Sequence, residues 1–408
     1  MDYLDTYLAE LHWTHLRHRG TVEQVRGLHS PYHRRGVMAI PAFKMAPGGE
    51  PAVDGRAQSL KLMAGAQRFA VDSFFFDLED AAPDHTEFKA FAREFAIEAL
   101  LQGDFGSRVV GFRPNNLRTE FFEQDLAQVI LRAGHRLDVV VLPKSESASE
   151  VADVAQMIRQ GLRLAGVDRP VALEVLIESP RAFAQAQQIA AVPGVSALVY
   201  GAFDMARCIG AQVRPDHWLD DHRAVRQLLP VLAAAEGKEA LDAVTAAIPV
   251  RPPRPESMSA EEYTLALQGD LAILAAVESS FAQAVQRRRD ALEICRREAQ
   301  DARAIGFAGK WVLHPDQIAP IQDAWLPTRA QAMQALQAVA DYARAAQTGS
   351  GAQLHGQRMA DKAVIGALWW EVQDAARAEV LQAADFALCG ATLDQMRRAV
   401  VTRDQQLG

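Results

Sequence analysis

Cysteine is scarce in this chain, and the few residues present are badly placed for shared chemistry. Cys208, Cys295 and Cys389 are the only three in 408 residues, they are far apart, and no Cys-x-x-Cys occurs. An odd, scattered set excludes a disulfide framework and a thiolate zinc site, leaving free thiols. Long apolar runs are also missing: the longest, around Ala363 to Trp370, falls well short of the ~18 residues of a membrane span. Positive charge is not in surplus, since 43 Lys and Arg stand against 51 Asp and Glu for a net charge of −8. No global basic field therefore exists to release counterions from nucleic acid or to hold an anionic membrane. No Gly-x-Ser-x-Gly, Walker loop or helix-opening Gly-x-Gly-x-x-Gly is present, which removes the usual anchors of serine and nucleotide hydrolases. The first twenty residues lack a basic region followed by an apolar stretch, so a cytoplasmic location is expected.

What the sequence does contain is regular alternation. Between residues 36 and 314, eight short β-branched or aromatic runs are separated by helical patterns, the signature of βα units on a parallel sheet. The runs are Gly36 to Pro41, Ser73 to Leu78, Arg108 to Phe112, Val139 to Leu142, Ala172 to Ile177, Ala197 to Tyr200, Leu241 to Val244 and Lys310 to Leu313. Helices are expected over Thr86 to Gln102, Glu120 to Ala133, Ser147 to Leu164, Arg181 to Ala191 and Arg289 to Ile305, with Ser, Pro and Gly at their ends. Eight units predict a closed (β/α)8 TIM barrel; because the seventh run is short and Ala-rich, a doubly wound open sheet is the second choice. Domain limits are expected at 1–34 for an N-terminal helical extension, 35–327 for the barrel and 328–408 for a C-terminal helical lid. Pro249 to Gln286, opening with PVRPPRP, reads as an insertion after strand seven, and Thr348 to Gly356 as a hinge.

In a βα barrel the chemistry gathers where strands end, so the residues following each run are the candidates. Those residues are polar: Asp77, Glu79 and Asp80 after the second run, Arg113 after the third, Lys144 after the fourth, Glu178 after the fifth, Asp204 after the sixth and His314 after the eighth. Glu178 and Asp204 come from neighbouring strands and can share one cation, an oxygen set suited to Mg²⁺ or Mn²⁺; as acids beside Ser179-Pro180 and Met205 they suit helix capping equally. Arg113, held extended before Pro114, can grip a carboxylate in two places or pair with Asp77, Glu79 or Asp80. Glu79 and Asp80 are expected to orient Arg113 or metal-bound waters. Lys144, Lys44 and the Arg34-Arg35 pair are expected to add positive charge around the same mouth, suited to ligand phosphates, and His314 to line the pocket. His12, His15 and His18 share a helical face interrupted by Arg17 and Arg19, and read as a solvated helix.

Six motifs in order, FFFDLEDAAPD (Phe74 to Asp84), GFRPNN (Gly111 to Asn116), VLPKSES (Val141 to Ser147), LEVLIESP (Leu173 to Pro180), GAFDMARCIG (Gly201 to Gly210) and GFAGKWVLHPDQI (Gly306 to Ile318), resemble the citrate lyase β-subunit and malyl-CoA lyase family within the HpcH/HpaI aldolase group. The resemblance implies a TIM barrel with Mg²⁺ on Glu178 and Asp204, and Arg113 on the 2-oxo acid part of the substrate. It further implies coenzyme A thioester chemistry and a homo-oligomer, trimer or hexamer, in which the tail of one subunit covers the site of another. Asp361 matches the lid aspartate, a candidate acid/base. Departures are the long first loop from Pro41, Phe203 before Asp204, and the insertion, which is expected to select substrate if it borders the mouth. The expected reaction is reversible cleavage of a 3-hydroxy-carboxyacyl-CoA, such as malyl-, citramalyl- or citryl-CoA, into an acyl-CoA and a 2-oxo acid. Alternatives are a metal-dependent aldolase on free 2-oxo acids, an acyl-CoA thioesterase on the same barrel, and a silent scaffold, against which the charged rim argues.

Overall fold

A computed structural model describes residues 34–80, 82–106, 108–212, 214, 222–347, 353–355, 358–360, 362–378 and 380–390. Eight parallel strands close into a barrel in sequential order: β1 Gly36–Pro41, β2 Ser73–Asp77, β3 Val109–Arg113, β4 Val139–Leu142, β5 Ala172–Ile177, β6 Val195–Tyr200, β7 Glu239–Asp242 and β8 Gly309–Val312. β1 pairs with both β2 and β8, which is what closure requires and what rules out the open sheet. Every residue of β2 to β8 is buried, as strands wrapped by helices must be, and this explains the unbroken apolar runs of SFFFD and VVVL. Inside the barrel, Phe75 of β2 packs on Trp311 of β8 with ring centroids 4.8 Å apart.

Local chemistry sets the helix ends. Ser147 accepts a hydrogen bond from the Glu150 amide to start Ala148–Leu164, and Ser179 does the same for Ala182, with Pro180 in the first helical position. Gly210, at φ +70°, ends the helix Ala202–Ile209 in the left-handed conformation that a Cβ disfavours. The expected Arg181 to Ala191 helix is two short helices, Pro180–Ala184 and Ala186–Ala190, and the last barrel helix runs over Ser279–Ala304, ten residues earlier than its expected start.

β7 lies two residues before its expected position because charged residues belong to it. Glu239 pairs with the buried Arg34, which also holds Glu174 of β5. Asp242 receives Lys310 Nζ of β8 at 3.0 Å and Arg226 Nε and Nη2 at 3.0 and 2.9 Å. Lys310 is fully buried, and such charges survive burial only because they are paired and hydrogen-bonded.

The insertion folds onto the barrel unit. Ser259 and Glu262 form a reciprocal capping box that opens the helix Ala260–Gln268, a second helix covers Leu271–Ala276, and Met258, Ala266, Phe281 and Val285 form a small core of their own. The chain divides into two compact units between Gln322 and Asp323. The unit beyond contains the helices Arg329–Gln347, Lys362–Arg377 and Ala383–Leu388 and an antiparallel pair, Gln353–His355 with Arg358–Ala360. Its core includes Leu336, Val339, Ile365, Trp369 and Phe386. The short strand pair falls where only a break between helices was expected, and the expected Thr348 to Gly356 hinge lies largely outside the described residues. The helical extension over 1–34, with His12, His15 and His18, lies outside them too, save Arg34. No described helix is long and apolar enough to cross a membrane.

Candidate active site

The C-terminal ends of β2 to β6 bring the expected acids and bases together. Arg113, the last residue of β3, is buried and turned onto Asp77, the last residue of β2: its Nε and Nη2 donate to the two carboxylate oxygens at 2.7 and 2.6 Å. This two-pronged pair is the strong form of the contact, and it sits over the Phe75 and Trp311 rings, with Cζ 5.8 and 5.9 Å from their centroids. The remaining nitrogen, Nη1, lies 3.3 Å from Glu79 Oε2, and Nη2 also reaches Asp80 Oδ2 at 3.3 Å. Burial opposes the guanidinium charge, but Asp77 first, then Glu79 and Asp80, hold its pKa above the ordinary value.

Lys144 is the one non-glycine among the described residues with positive φ, at +52°. A side chain in that left-handed conformation is held there by its surroundings, and such positions concentrate at functional sites. Here it lets one residue serve three carboxylates: the backbone N–H donates to Glu178 Oε1 at 2.5 Å, while Nζ stands 2.7 Å from Glu79 Oε1 and 3.4 Å from Asp80 Oδ1. Burial works against the ammonium, yet the hydrogen bond and charge of Glu79, followed by Asp80 and Asp204, raise its pKa.

Glu178 follows β5 and is buried. Burial first, then the negative charges of Glu79 and Asp204, push its pKa up to about 8, against the opposing Lys144 amide and Arg113. Glu79 is likewise raised, by burial above all and further by Asp80, with Arg113 and Lys144 opposing. Asp204 lies in the first turn of Ala202–Ile209, with Oδ1 accepting from Arg207 Nη2 at 2.6 Å. Gly201 between β6 and that helix has its own reason to be glycine: a Cβ there would stand 2.3 Å from Glu178 Cβ.

Not every expected residue joins this cluster. Arg35 precedes β1, and in a parallel barrel that is the opposite end from Arg113; it is spent there on Asp72, with Nε and Nη2 each 2.8 Å from the carboxylate. The expectation that Arg34 and Arg35 flank the mouth is therefore corrected: one is buried among Glu174 and Glu239, the other paired beneath the barrel. Lys44 is at the rim end of β1 with its backbone tied to Ser59 and its side chain exposed. His314 caps the turn Pro315–Gln317, accepting from the Asp316 amide at Nδ1. Asp361 lies outside the described residues. Lys89 was not anticipated: buried, it donates from Nζ to the carbonyls of Leu78 and Glu79 and so fixes the loop that carries Glu79 and Asp80. A lone Lys in the pattern TEFKAFAREF carries no sequence signal of that role.

The cluster's composition bears on a metal. Asp77, Glu79, Asp80, Glu178 and Asp204 face Arg113, Lys144, Lys89 and Arg207, leaving a formal surplus of one negative charge. Neither buried oxygen of Glu79 has a well-directed hydrogen bond, despite the ionic contacts of Lys144 and Arg113. Among the described residues no three His, Cys, Asp or Glu side chains group as ligands of one ion. A hard divalent ion needs only one or two carboxylates from the protein, its other positions being taken by water and substrate.

Fold and rim thus define a (β/α)8 barrel with an acid-rich mouth. Residues 56–253 match the family model described as HpcH/HpaI aldolase/citrate lyase. The L-malyl-CoA/β-methylmalyl-CoA lyase of Cereibacter sphaeroides is 27% identical over 336 residues, 78% of this chain and 89% of the relative. The (3S)-malyl-CoA thioesterase of the same organism is 28% identical over 70% of this chain and 80% of its own length. Among solved structures, a citrate lyase from Burkholderia xenovorans superposes with a TM-score of 0.63 at 19% identity, covering 89% of this chain and 99% of the other. CitE from Mycobacterium tuberculosis, solved in complex with magnesium, acetoacetate and coenzyme A, gives 0.53 at 24% identity over 84% of this chain and 97% of its own. At these identities the two structures establish the fold.

Proposed function

We propose that the chain is a divalent-metal-dependent carbon–carbon lyase that cleaves, or in reverse forms, a 3-hydroxy-carboxyacyl-CoA, yielding an acyl-CoA and a 2-oxo acid. The observation that carries the reading is the crowding of Glu178 and Asp204 into an acid-rich mouth beside a rigidly held Arg113. The similarity to the malyl-CoA lyase of C. sphaeroides supports the substrate class.

Glu178 and Asp204 would hold Mg²⁺, which when bound supplies Lewis-acid polarisation of the substrate's hydroxyl oxygen. Arg113 is positioned by Asp77 and by the Phe75 and Trp311 rings, so its guanidinium meets the substrate carboxylate without reorganising. In cleavage the hydroxyl gives its proton to solvent water, the bond between the carbinol carbon and the thioester α-carbon breaks as the carbonyl forms, and the electron pair stays on the α-carbon as the thioester enolate. Protonation of that carbon completes the acyl-CoA, and Asp361 is the proposed donor. Lys144 and Glu79 keep Glu178 and Arg113 in register. Asp80, more exposed, adjusts Arg113 from outside. A homo-oligomer with the tail as lid belongs to the same reading.

The test is the condensing reaction. Acetyl-CoA and propionyl-CoA are each offered with glyoxylate, pyruvate or oxaloacetate, with Mg²⁺ or Mn²⁺ and with chelator. Metal-dependent loss of the 2-oxo acid together with a new hydroxyacyl-CoA is expected. Metal-dependent aldol products without any thioester would move the assignment to a free-acid aldolase. Release of free thiol from malyl-CoA without glyoxylate would instead match the activity named for the thioesterase relative.

A further inference from the structure

The insertion after β7 lines an open cleft of about 600 Å³ that plays no part in the chemistry above. Its walls carry three arginines from two segments: Arg251 and Arg254 from the proline-rich loop, and Arg288 from the helix Ser279–Ala304. Tyr263 and Leu267 supply an apolar side. One carboxylate answers these charges. Asp316, from the turn after β8, accepts Arg251 Nε at 2.7 Å and Arg288 Nη2 at 3.0 Å, which leaves two positive charges in excess. Arg254 is exposed and makes no ion pair among the described residues. Arg288 is 9% exposed, and its buried Nε has no hydrogen-bond partner.

The walls are rigid before any ligand arrives. Tyr263 donates its hydroxyl to the Pro252 carbonyl at 2.6 Å and packs against Phe281 with centroids 6.2 Å apart, and the Ser259 capping box fixes the helix that bears it. Pro252 and Pro253 hold the loop dihedrals of the two neighbouring arginines. A preformed concave site pays little ordering entropy on binding. Several guanidiniums from different directions match the oxygens of a phosphate group, which accepts more donors than the planar carboxylate already served by Asp316.

From this arrangement we infer that the insertion forms a second ligand site, separate from the acid cluster, which takes a phosphate ester bearing a planar ring: the phosphates on Arg254 and Arg288, the ring beside Tyr263. The inference stands on the cavity alone and does not depend on the lyase reading. A phosphate ester of this kind has two sources, the nucleotide end of a coenzyme A thioester and a free nucleotide.

Calorimetric titration of pyrophosphate, ADP and coenzyme A into the full chain tests it, with wild type, Arg254→Glu and Glu178→Gln compared. ADP binding at one site per chain is expected, weakened at least tenfold by R254E and unchanged by E178Q. Arg254 is exposed, so R254E should melt as wild type; R254Q provides the same comparison without charge reversal. Coenzyme A that displaces ADP one for one and weakens equally in R254E identifies the substrate's own nucleotide as the occupant. Coenzyme A that binds alongside ADP identifies a separate nucleotide. Absence of binding by ADP and pyrophosphate, or ADP binding indifferent to R254E and R254Q, overturns the site whatever the lyase assays return.

Discussion

Gly201→Ala is the sharpest probe of the carboxylate cluster, because its effect is worked from contact distances rather than from any assigned role. Gly201 has φ −93° and ψ 73°, so alanine meets no left-handed penalty. What it meets is Glu178: the new methyl would lie 2.3 Å from Glu178 Cβ and 2.9 Å from Oε2. Carbon atoms pack comfortably at about 3.5–4.0 Å, so Glu178 or the end of β6 must retreat by more than about 1 Å. Overpacking of this kind costs about 1–3 kcal/mol of stability, offset by about 0.4–1 kcal/mol from the stiffer unfolded chain. A displacement of about 1 Å at a catalytic group costs about 100-fold in rate. The expected G201A protein therefore folds, loses no more than about 2–3 kcal/mol in urea denaturation, and falls about 100-fold in kcat/KM with weaker Mg²⁺ dependence. Gly36→Ala is the matched control, since its Cβ would find Val312 and Val71 methyls at an ordinary 3.4 Å. Wild-type turnover in G201A, with G36A also normal, would show that Glu178 has no demanding geometry and would refute its assignment as a metal ligand.

Glu178→Gln and Asp204→Asn should each abolish turnover while leaving the fold intact, measured by steady-state kinetics beside thermal melts. For pH, the folded pKa of Glu178 is raised to about 8, so the stability contributed by its proton is complete below the unfolded value near 4.5 and is lost as pH rises through about 8. Metal-free wild type should thus become less stable between pH 5 and 8 than E178Q does; parallel stability profiles would contradict the burial argument. Arg113→Lys keeps the charge but loses the two-pronged grip on Asp77, and should cost about 10²–10³ in kcat; retention of full activity would show that a point charge suffices. Lys310→Met breaks the buried contacts to Asp242 and should destabilise by about 3–5 kcal/mol in denaturant titration, leaving the kcat/KM of the folded fraction close to wild type.

The barrel was legible because its signals are local and repeated: apolar runs of strand length, each followed by a helical period with Ser, Pro or Gly at its ends. β7 was misplaced for the opposite reason. Glu239 and Asp242 look unlike strand residues until Arg34, Arg226 and Lys310 are brought beside them by distant segments. The rim acids were legible from position after a strand. Their spacing gave no hint of the Lys144 backbone, whose left-handed turn presents one residue to both Glu178 and Glu79. Nor did it show Lys89, whose partners are backbone carbonyls that carry no sequence identity.

Arg35 and Arg113 show what separates a structural pair from a candidate reactive one. Both adjoin barrel strands, and both grip an aspartate of the β2 segment through two nitrogens, Asp72 and Asp77 respectively. Composition and spacing do not distinguish them. The direction of the chain does: a residue before a parallel strand lies at the closed floor of the barrel, and one at the strand's end lies at the mouth. The floor pair is completed by Gln322 Nε2, which donates to Asp72 Oδ1 at 3.1 Å. At the mouth, Arg113 shares its aspartate's neighbourhood with Glu79, Asp80, Glu178 and Asp204, more acid than the cations there can neutralise. An ion pair that closes its own charge contributes to folding, whereas one embedded in an acid-rich field stays open to further electrostatic partners. The same residue pair is therefore self-contained at one end of the barrel, while at the other, under the proposed function, it would be positioned for chemistry.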